Sequence, residues 1–229
     1  MRIAMWSGPR NLSTAMMYSF GNRADFSVID EPFYGAYLSA TGVVHPMQDQ
    51  ILEAHQTNPD MIDASCRSGG SPHLYMKQMP HHMIDGFPLG WADGCVHVHL
   101  IRHPARVIAS YTAKREEISL ADIGFEQQTL LYNAVGGLVV DSADIRANPE
   151  MMLRRLCDAI DLPFDPAMLS WPAGPKLEDG IWAKHWYGAV HKSTGFAGAE
   201  PGLPKLEPHL QPLLSAALPH YEAMAACKI

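Results

Sequence analysis

The chain alternates short apolar runs with stretches that repeat apolar residues at helical spacing, the pattern of α/β proteins built on a parallel sheet. Arg2 to Trp6 reads as a first strand closing in the turn Ser7-Gly8-Pro9, and Ser13 to Phe20 as a helix stopped by Gly21-Asn22. Phe26 to Ile29 is expected to be a second strand, ended by Asp30-Glu31-Pro32, and Ile51, Leu52 and His55 give helical spacing from Gln48 to Gln56. His73 to Met79 and Cys95 to Ile101 predict a third and a fourth strand. Pro104 suits the first turn of a helix running to about Glu116, where a missing N–H costs nothing.

Further on, Phe125 to Val135 reads as a helix and Leu138 to Val140 as a short buried strand. Met152, Leu153, Leu156 and Ile160 mark one face of a helix that stops before Leu162-Pro163. Prolines and glycines crowd residues 163 to 212, which predicts an irregular wrap with short helices. The expected architecture is one three-layer α/β/α domain over residues 1–229, with a mainly parallel central sheet and a loop-rich final third.

Composition narrows the function. With 47% hydrophobic and 18% charged residues in 229, the chain has the makings of a packed globular core. Lys plus Arg number 17 against 24 Asp plus Glu, a net charge of -7, so nucleic acid is an unexpected partner and any anion site must be a local cluster. No apolar run approaches the roughly 18 residues of a membrane span, and Met1 to Trp6 meets glycine and proline too soon for a leader's apolar stretch. Cys66, Cys95, Cys157 and Cys227 form no CxxC pair, which predicts free thiols and a cytoplasmic address.

Two segments carry candidate chemistry. In the first, a strand leads through Gly8, Pro9, Arg10, Asn11 and Leu12 to Ser13 and Thr14 at the start of a helix. Such a turn presents open backbone N–H groups and the positive end of a helix dipole to an anion. Arg10 adds a planar cation, and the two hydroxyls can donate to anion oxygens; equally, Ser13 and Thr14 can simply cap the helix. Asn11 and Leu12 stand where a Walker A motif needs Gly-Lys, which weakens an ATPase or GTPase reading. In the second segment, a strand delivers Arg102 to its C-terminal end, and Arg106 and Ser110 share one face of the helix that follows.

Together these segments resemble the PAPS-dependent sulfotransferases, PAPS being 3′-phosphoadenosine 5′-phosphosulfate. That family pairs an N-terminal Pro-Lys/Arg-Ser-Gly-Thr/Ser-Thr loop, which holds the 5′-phosphosulfate, with an Arg and a Ser eight residues apart that hold the 3′-phosphate. Pro9-Arg10 with Ser13-Thr14 is similar to the first, and Arg102 with Ser110 to the second. Leu138 to Ile145, Asn148-Pro149-Glu150 and the helix ending in Leu162-Pro163-Phe164 resemble the family's strand, turn and following helix. The resemblance covers about residues 1 to 165 and implies a P-loop NTPase-like fold, with PAPS as co-substrate, a small-molecule acceptor and no metal.

Leu12 replaces the family's usual loop glycine, and Ala15 the tryptophan that many animal cytosolic members set against adenine, so the chain looks like a divergent bacterial-type branch.

The resemblance also implies roles. Arg10 would sit near the bridging and sulfuryl oxygens, and Ser13 and Thr14 would hold the 5′-phosphate. Two bases remain open: Glu31, just after the second strand, and His82 of the His81-His82 pair, following Lys77, whose family counterpart helps with the sulfuryl group. Late in the chain Lys192, Ser193 and Thr194 are similar to the basic, glycine-bearing loop that touches the 3′-phosphate. The aromatics and methionines of 33–47, 83–91 and 171–186 suit an apolar or aromatic alcohol as acceptor.

Three readings compete: a zinc site on His97 and His99, a kinase or NTPase with Asp141 ending a Walker B-like strand, and a nucleotide-binding relative without catalysis. The sulfotransferase reading requires the guanidiniums of Arg10 and Arg102 to face one cleft rather than lie buried against carboxylates.

Overall fold

The computed structural model describes residues 1–68, 72–113 and 118–229. Among these, five strands form one sheet: β1 (Arg2–Ser7), β2 (Phe26–Asp30), β3 (His73–Gln78), β4 (Val96–Ile101) and β5 (Leu138–Asp141). They lie in the order β2-β3-β1-β4-β5 with every neighbouring pair parallel. Helices α1 (Ser13–Gly21), α2 (Tyr34–Thr41), α3 (Gln48–Ala54) and α4 (Pro59–Ser68) precede β3. Between β4 and β5 run α5 (Pro104–Thr112), α6 (Leu120–Ile123) and α7 (Phe125–Val135). After β5 come α8 (Ser142–Ala147), α9 (Pro149–Ala159), α10 (Ala183–Trp186) and α11 (Gln211–Ala225).

Alternation along β1 explains the layering, since successive side chains point to opposite faces. Ile3 and Met5 enter a core with Met16, Phe20, Tyr75 and Val98, while Ala4 and Trp6 enter another with Ile62, Met76 and Trp91. Both faces are covered, as a parallel sheet requires.

The expected strands all form, within a residue or two of the expected ends. The helix expected from Pro104 ends at Thr112, and residues 114–117 of that stretch lie outside the described residues. Helices α2, α4, α6, α8 and α11 were not expected. The longest of these, α11, carries Pro212 in its first turn and Pro219 inside, residues that read as breakers; burial of Ala217 and Met224 holds it in place.

The C-terminal ends of the strands share one edge, and β1 leaves it between β3 and β4. A crevice opens at such a switch point in open α/β sheets. The turn after β1 is shaped by its neighbours. A Cβ on Gly8 would meet the Ile123 carbonyl oxygen at 2.7 Å. Gln128 on α7 accepts from the Gly8 N–H at 3.3 Å and donates to the carbonyls of Trp6 at 3.2 Å and Leu100 at 3.0 Å. Arg10 and Leu12 both take left-handed backbone, φ 64° and 75°, at a cost of about 1–2 kcal/mol each. Leu12 therefore occupies a position whose conformation favours the glycine it replaces.

Gly8→Ala is expected to lose about 1–3 kcal/mol in urea unfolding through this backbone clash. Gly188→Ala, whose methyl meets nothing within 4 Å, should stay within about 0.5 kcal/mol of wild type.

Candidate active site

A cavity of about 380 Å³ lies over the sheet edge at β1, β3 and β4. At one end it is walled by Pro9, Arg10, Leu12, Ser13 and Thr14, with Arg102, Ser110 and Ser193 beside them; at the other it meets Glu31, Lys77 and His82. The structure thus brings both sequence segments to one space. Gly8, Asn11, Arg106, Lys192 and Thr194 fall outside the lining, contrary to expectation. Gly8 packs on Ile123, and Asn11 turns inward to donate to the Leu100 carbonyl at 3.3 Å. Ser193 does reach the cavity, but its hydroxyl donates to the Val190 carbonyl at 2.7 Å and accepts from Trp171 Nε1 at 3.2 Å.

Helix α1 begins at Ser13 without a side-chain cap, its N-cap position being Leu12. Ser13 and Thr14 line the cavity instead. The Arg10 guanidinium donates through Nε to Ser110 Oγ at 2.9 Å, and Arg102 Nη1 donates to the Arg10 carbonyl at 2.7 Å. Burial, then the neighbouring Arg102 charge, lowers the pKa of Arg10 below the ordinary guanidinium value. An anion lying against both cations relieves that cost.

Arg102 is not free, and here the expectation of a cleft without carboxylates fails in part. Its Nε donates to Glu200 Oε1 at 3.0 Å, Arg146 Nη1 reaches the same oxygen at 2.7 Å, and Arg106 Nε lies 2.9 Å from Oε2. Burial would raise the Glu200 pKa, but the guanidiniums outweigh it and hold the carboxyl below its usual range. Arg102 still lines the cavity with Arg10; Arg106 is withdrawn from it by this carboxylate.

At the other end, Asp30 stands opposite Lys77 in the β2–β3 register. Lys77, 1% exposed, donates through its ammonium to Asp30 Oδ1 at 3.0 Å, to Glu31 Oε1, and to the Tyr187 hydroxyl at 2.6 Å. All three ammonium protons are thereby engaged, so Lys77 is held away from the sulfuryl role expected of it. Tyr187 donates in turn to Asp30 and accepts from Trp182 Nε1 at 3.1 Å. Burial lowers and the two carboxylates raise the Lys77 pKa, with a net rise.

Two carboxylates share one ammonium, and burial pushes the Glu31 carboxyl above its usual range despite Lys77. Glu31 also takes left-handed backbone at φ 42°, so three of the non-glycine residues under such strain border the cavity. His82 lies flat on the Tyr34 ring, 4.6 Å between centroids at 6°, and is 2% exposed. Burial drives its pKa well below 6.5, and that of His81 down to about 3.

A family model for the sulfotransferase domain matches residues 1–228. The chain belongs to the sulfotransferase domain family. The fold agrees: the sulfotransferase domain of the Synechococcus PCC 7002 olefin synthase superposes with a TM-score of 0.54 at 19% identity, covering 96% of this chain and 94% of that one. The sulfotransferase domain from the curacin biosynthetic pathway gives 0.52 at 14% identity, covering 95% and 96%. Two Arabidopsis thaliana proteins, branched-chain-amino-acid aminotransferase-like proteins 1 and 2, are 36% and 34% identical over 97% and 98% of this chain. The chain spans only 41% and 40% of their lengths.

The features of a competing metal or kinase site are used otherwise in this sulfotransferase domain. His97 Nδ1 accepts from Trp6 Nε1 at 3.0 Å, and His99 Nε2 lies 2.9 Å from the Gly136 carbonyl. Asp141 caps α8 by accepting from the Ala143 N–H at 2.8 Å and binds the Tyr221 hydroxyl at 2.8 Å. Among the described residues no three His, Cys, Asp or Glu side chains gather as metal ligands, and no helix is long and apolar enough to cross a membrane.

Sequence reasoning missed Arg146, Tyr187 and Glu200. Arg146 lies five residues beyond Asp141, which is paired with Ile101, so the β4–β5 register is what brings it beside Arg102. No spacing rule joins Tyr187 to Asp30 or Glu200 to three distant arginines.

Lys77→Met is expected to cost about 3–5 kcal/mol in chemical denaturation, because it strands two buried carboxylates. The raised Glu31 pKa makes the folded state bind more protons than the unfolded one as pH climbs past the ordinary carboxylate value. Its contribution to stability is therefore complete at lower pH and declines through the folded pKa. Glu31→Gln should flatten that decline in a series of unfolding curves from pH 4 upward.

Proposed function

We propose that the domain transfers a sulfuryl group from 3′-phosphoadenosine 5′-phosphosulfate to a hydroxyl or amine of a small-molecule acceptor. One observation carries this reading: a single cavity holds Arg10, Arg102 and the uncapped start of α1 at one end and the buried Glu31–Lys77 pair at the other. The first end suits the phosphates of the donor, the second the proton of the acceptor.

In the reaction the acceptor oxygen attacks sulfur, the new O–S bond forms, and the bond from sulfur to the bridging phosphate oxygen breaks. The electron pair of that bond stays on the 5′-phosphate, whose charge Arg10 and the α1 N–H groups offset. The acceptor proton passes to Glu31. A carboxylate with a raised proton affinity is the better acceptor here, since buried His81 and His82 hold protons weakly. Lys77 acts through Glu31 by keeping the carboxylate ionised and aimed. The products are adenosine 3′,5′-bisphosphate and the sulfated acceptor.

Cations gather at the donor end, while the rings of Tyr34, Trp186 and Tyr187 line the same cavity as Glu31. This supports an aromatic or apolar acceptor without a negative charge.

Adenosine 3′,5′-bisphosphate is expected to raise the thermal midpoint more than ADP, ATP or AMP, and Arg102→Ala should shrink the shift. Equal shifts from ADP would overturn the assignment of the donor. With labelled PAPS over a panel of phenols and alcohols, Glu31→Gln should lower kcat about 10²–10⁴-fold while His82→Asn stays within tenfold. The reverse order would make His82 the base.

A further inference from the structure

Three guanidiniums surround one carboxylate at the rim of the cavity. Besides the contacts already given, Arg102 Nη2 closes on Glu200 Oε1, and the Glu200 side chain is 3% exposed. The chain that delivers it has no helix or strand from 196 to 207. It is anchored before by the Gly195–Ser170 bridge and after by Leu206 in the core. In between, 197–203 is exposed apart from Glu200 itself. Among the described residues, the hydrogen bonds and ion pairs of 197–205 run to these same arginines: the Gly198 carbonyl to Arg146 Nε at 3.0 Å, the Pro201 carbonyl to Arg106 Nη2, and Glu200 to all three. With little apolar burial of its own, the segment is held by its charge pairs.

Three positive charges against one carboxylate leave a surplus of two. A phosphate group, carrying about -1.5 to -2 at neutral pH, balances that surplus better than the single charge of Glu200. Arg102 faces both the carboxylate and the cavity, so the two anions compete for one cation.

We propose that Arg102, Arg106 and Arg146 form an anion seat that Glu200 occupies until a phosphate of the nucleotide displaces it, making 196–205 a latch released by donor binding. The inference rests on the bisphosphate nucleotide reading above and adds a regulating occupant to that site. It differs in sign from a strut, in which Glu200 fixes Arg102 for the phosphate and stays in place.

The test is calorimetric titration of adenosine 3′,5′-bisphosphate and of AMP into wild type and Glu200→Gln. The latch predicts that the variant binds the bisphosphate at least about tenfold more tightly, by removing the closed competitor, with AMP affinity unchanged. In wild type, hydrogen exchange of amides in 196–205 should quicken when the bisphosphate is added. Equal or weaker binding by the variant, or slower exchange in wild type, overturns the latch while the nucleotide reading stands. Bisphosphate binding to neither protein overturns the reading and the latch with it. Should the variant not fold, the exchange measurement on wild type decides.

Discussion

Lys77 carries its ammonium to a point in the sheet where 1% of the residue meets solvent, and it stays there because Asp30 and Glu31 converge on it from the neighbouring strand end. A lone buried cation would give up its proton. Paired with two carboxylates and a tyrosine hydroxyl it keeps it, and in doing so ties β2, β3 and the irregular chain around Tyr187 into one polar knot. The Gly180 N–H on Asp30 Oδ2 at 3.0 Å extends the knot into that chain. The Glu31 end of the cavity is built around this arrangement: Lys77 holds Glu31 in position, while burial and the neighbouring Asp30 raise its proton affinity against the pull of that ammonium.

What could be read in the sequence was what local rules govern. Strand, turn and helix around residues 7–14 were legible, and with them the turn that carries Arg10, Ser13 and Thr14 to the cavity, because the backbone geometry of such a turn is local. The eight-residue interval from Arg102 to Ser110 is likewise set by one strand end and two helical turns. Relations between distant elements were not legible. Lys77 was expected at the sulfuryl group by resemblance, because nothing in its neighbourhood along the chain reveals that Asp30 lies beside it across the ladder. Helix α11 was hidden by Pro212, which costs nothing in the first turn, and by Pro219, whose local penalty is overcome by packing of the helix against α5 and α7. Glu200 sits in a stretch whose composition signals only a loop.

Strain is distributed in keeping with this. Arg10, Leu12 and Glu31 adopt backbone that most side chains avoid, and each borders the cavity. The cost is met by the sheet and the cores on its two faces, which are packed by residues with almost no exposure.

Gln128 has a consequence for how the molecule opens. Its one amide group spans the ends of β1 and β4, gripping the Gly8 N–H and the carbonyls of Trp6 and Leu100. The two walls that carry Arg10 and Arg102 are thereby clasped to a common helix and travel as a single jaw. The facing wall comes in part from the proline- and glycine-rich chain beyond Pro163, through Trp186, Tyr187, Val190 and Ser193, so a rigid lip and an irregular one enclose the same space.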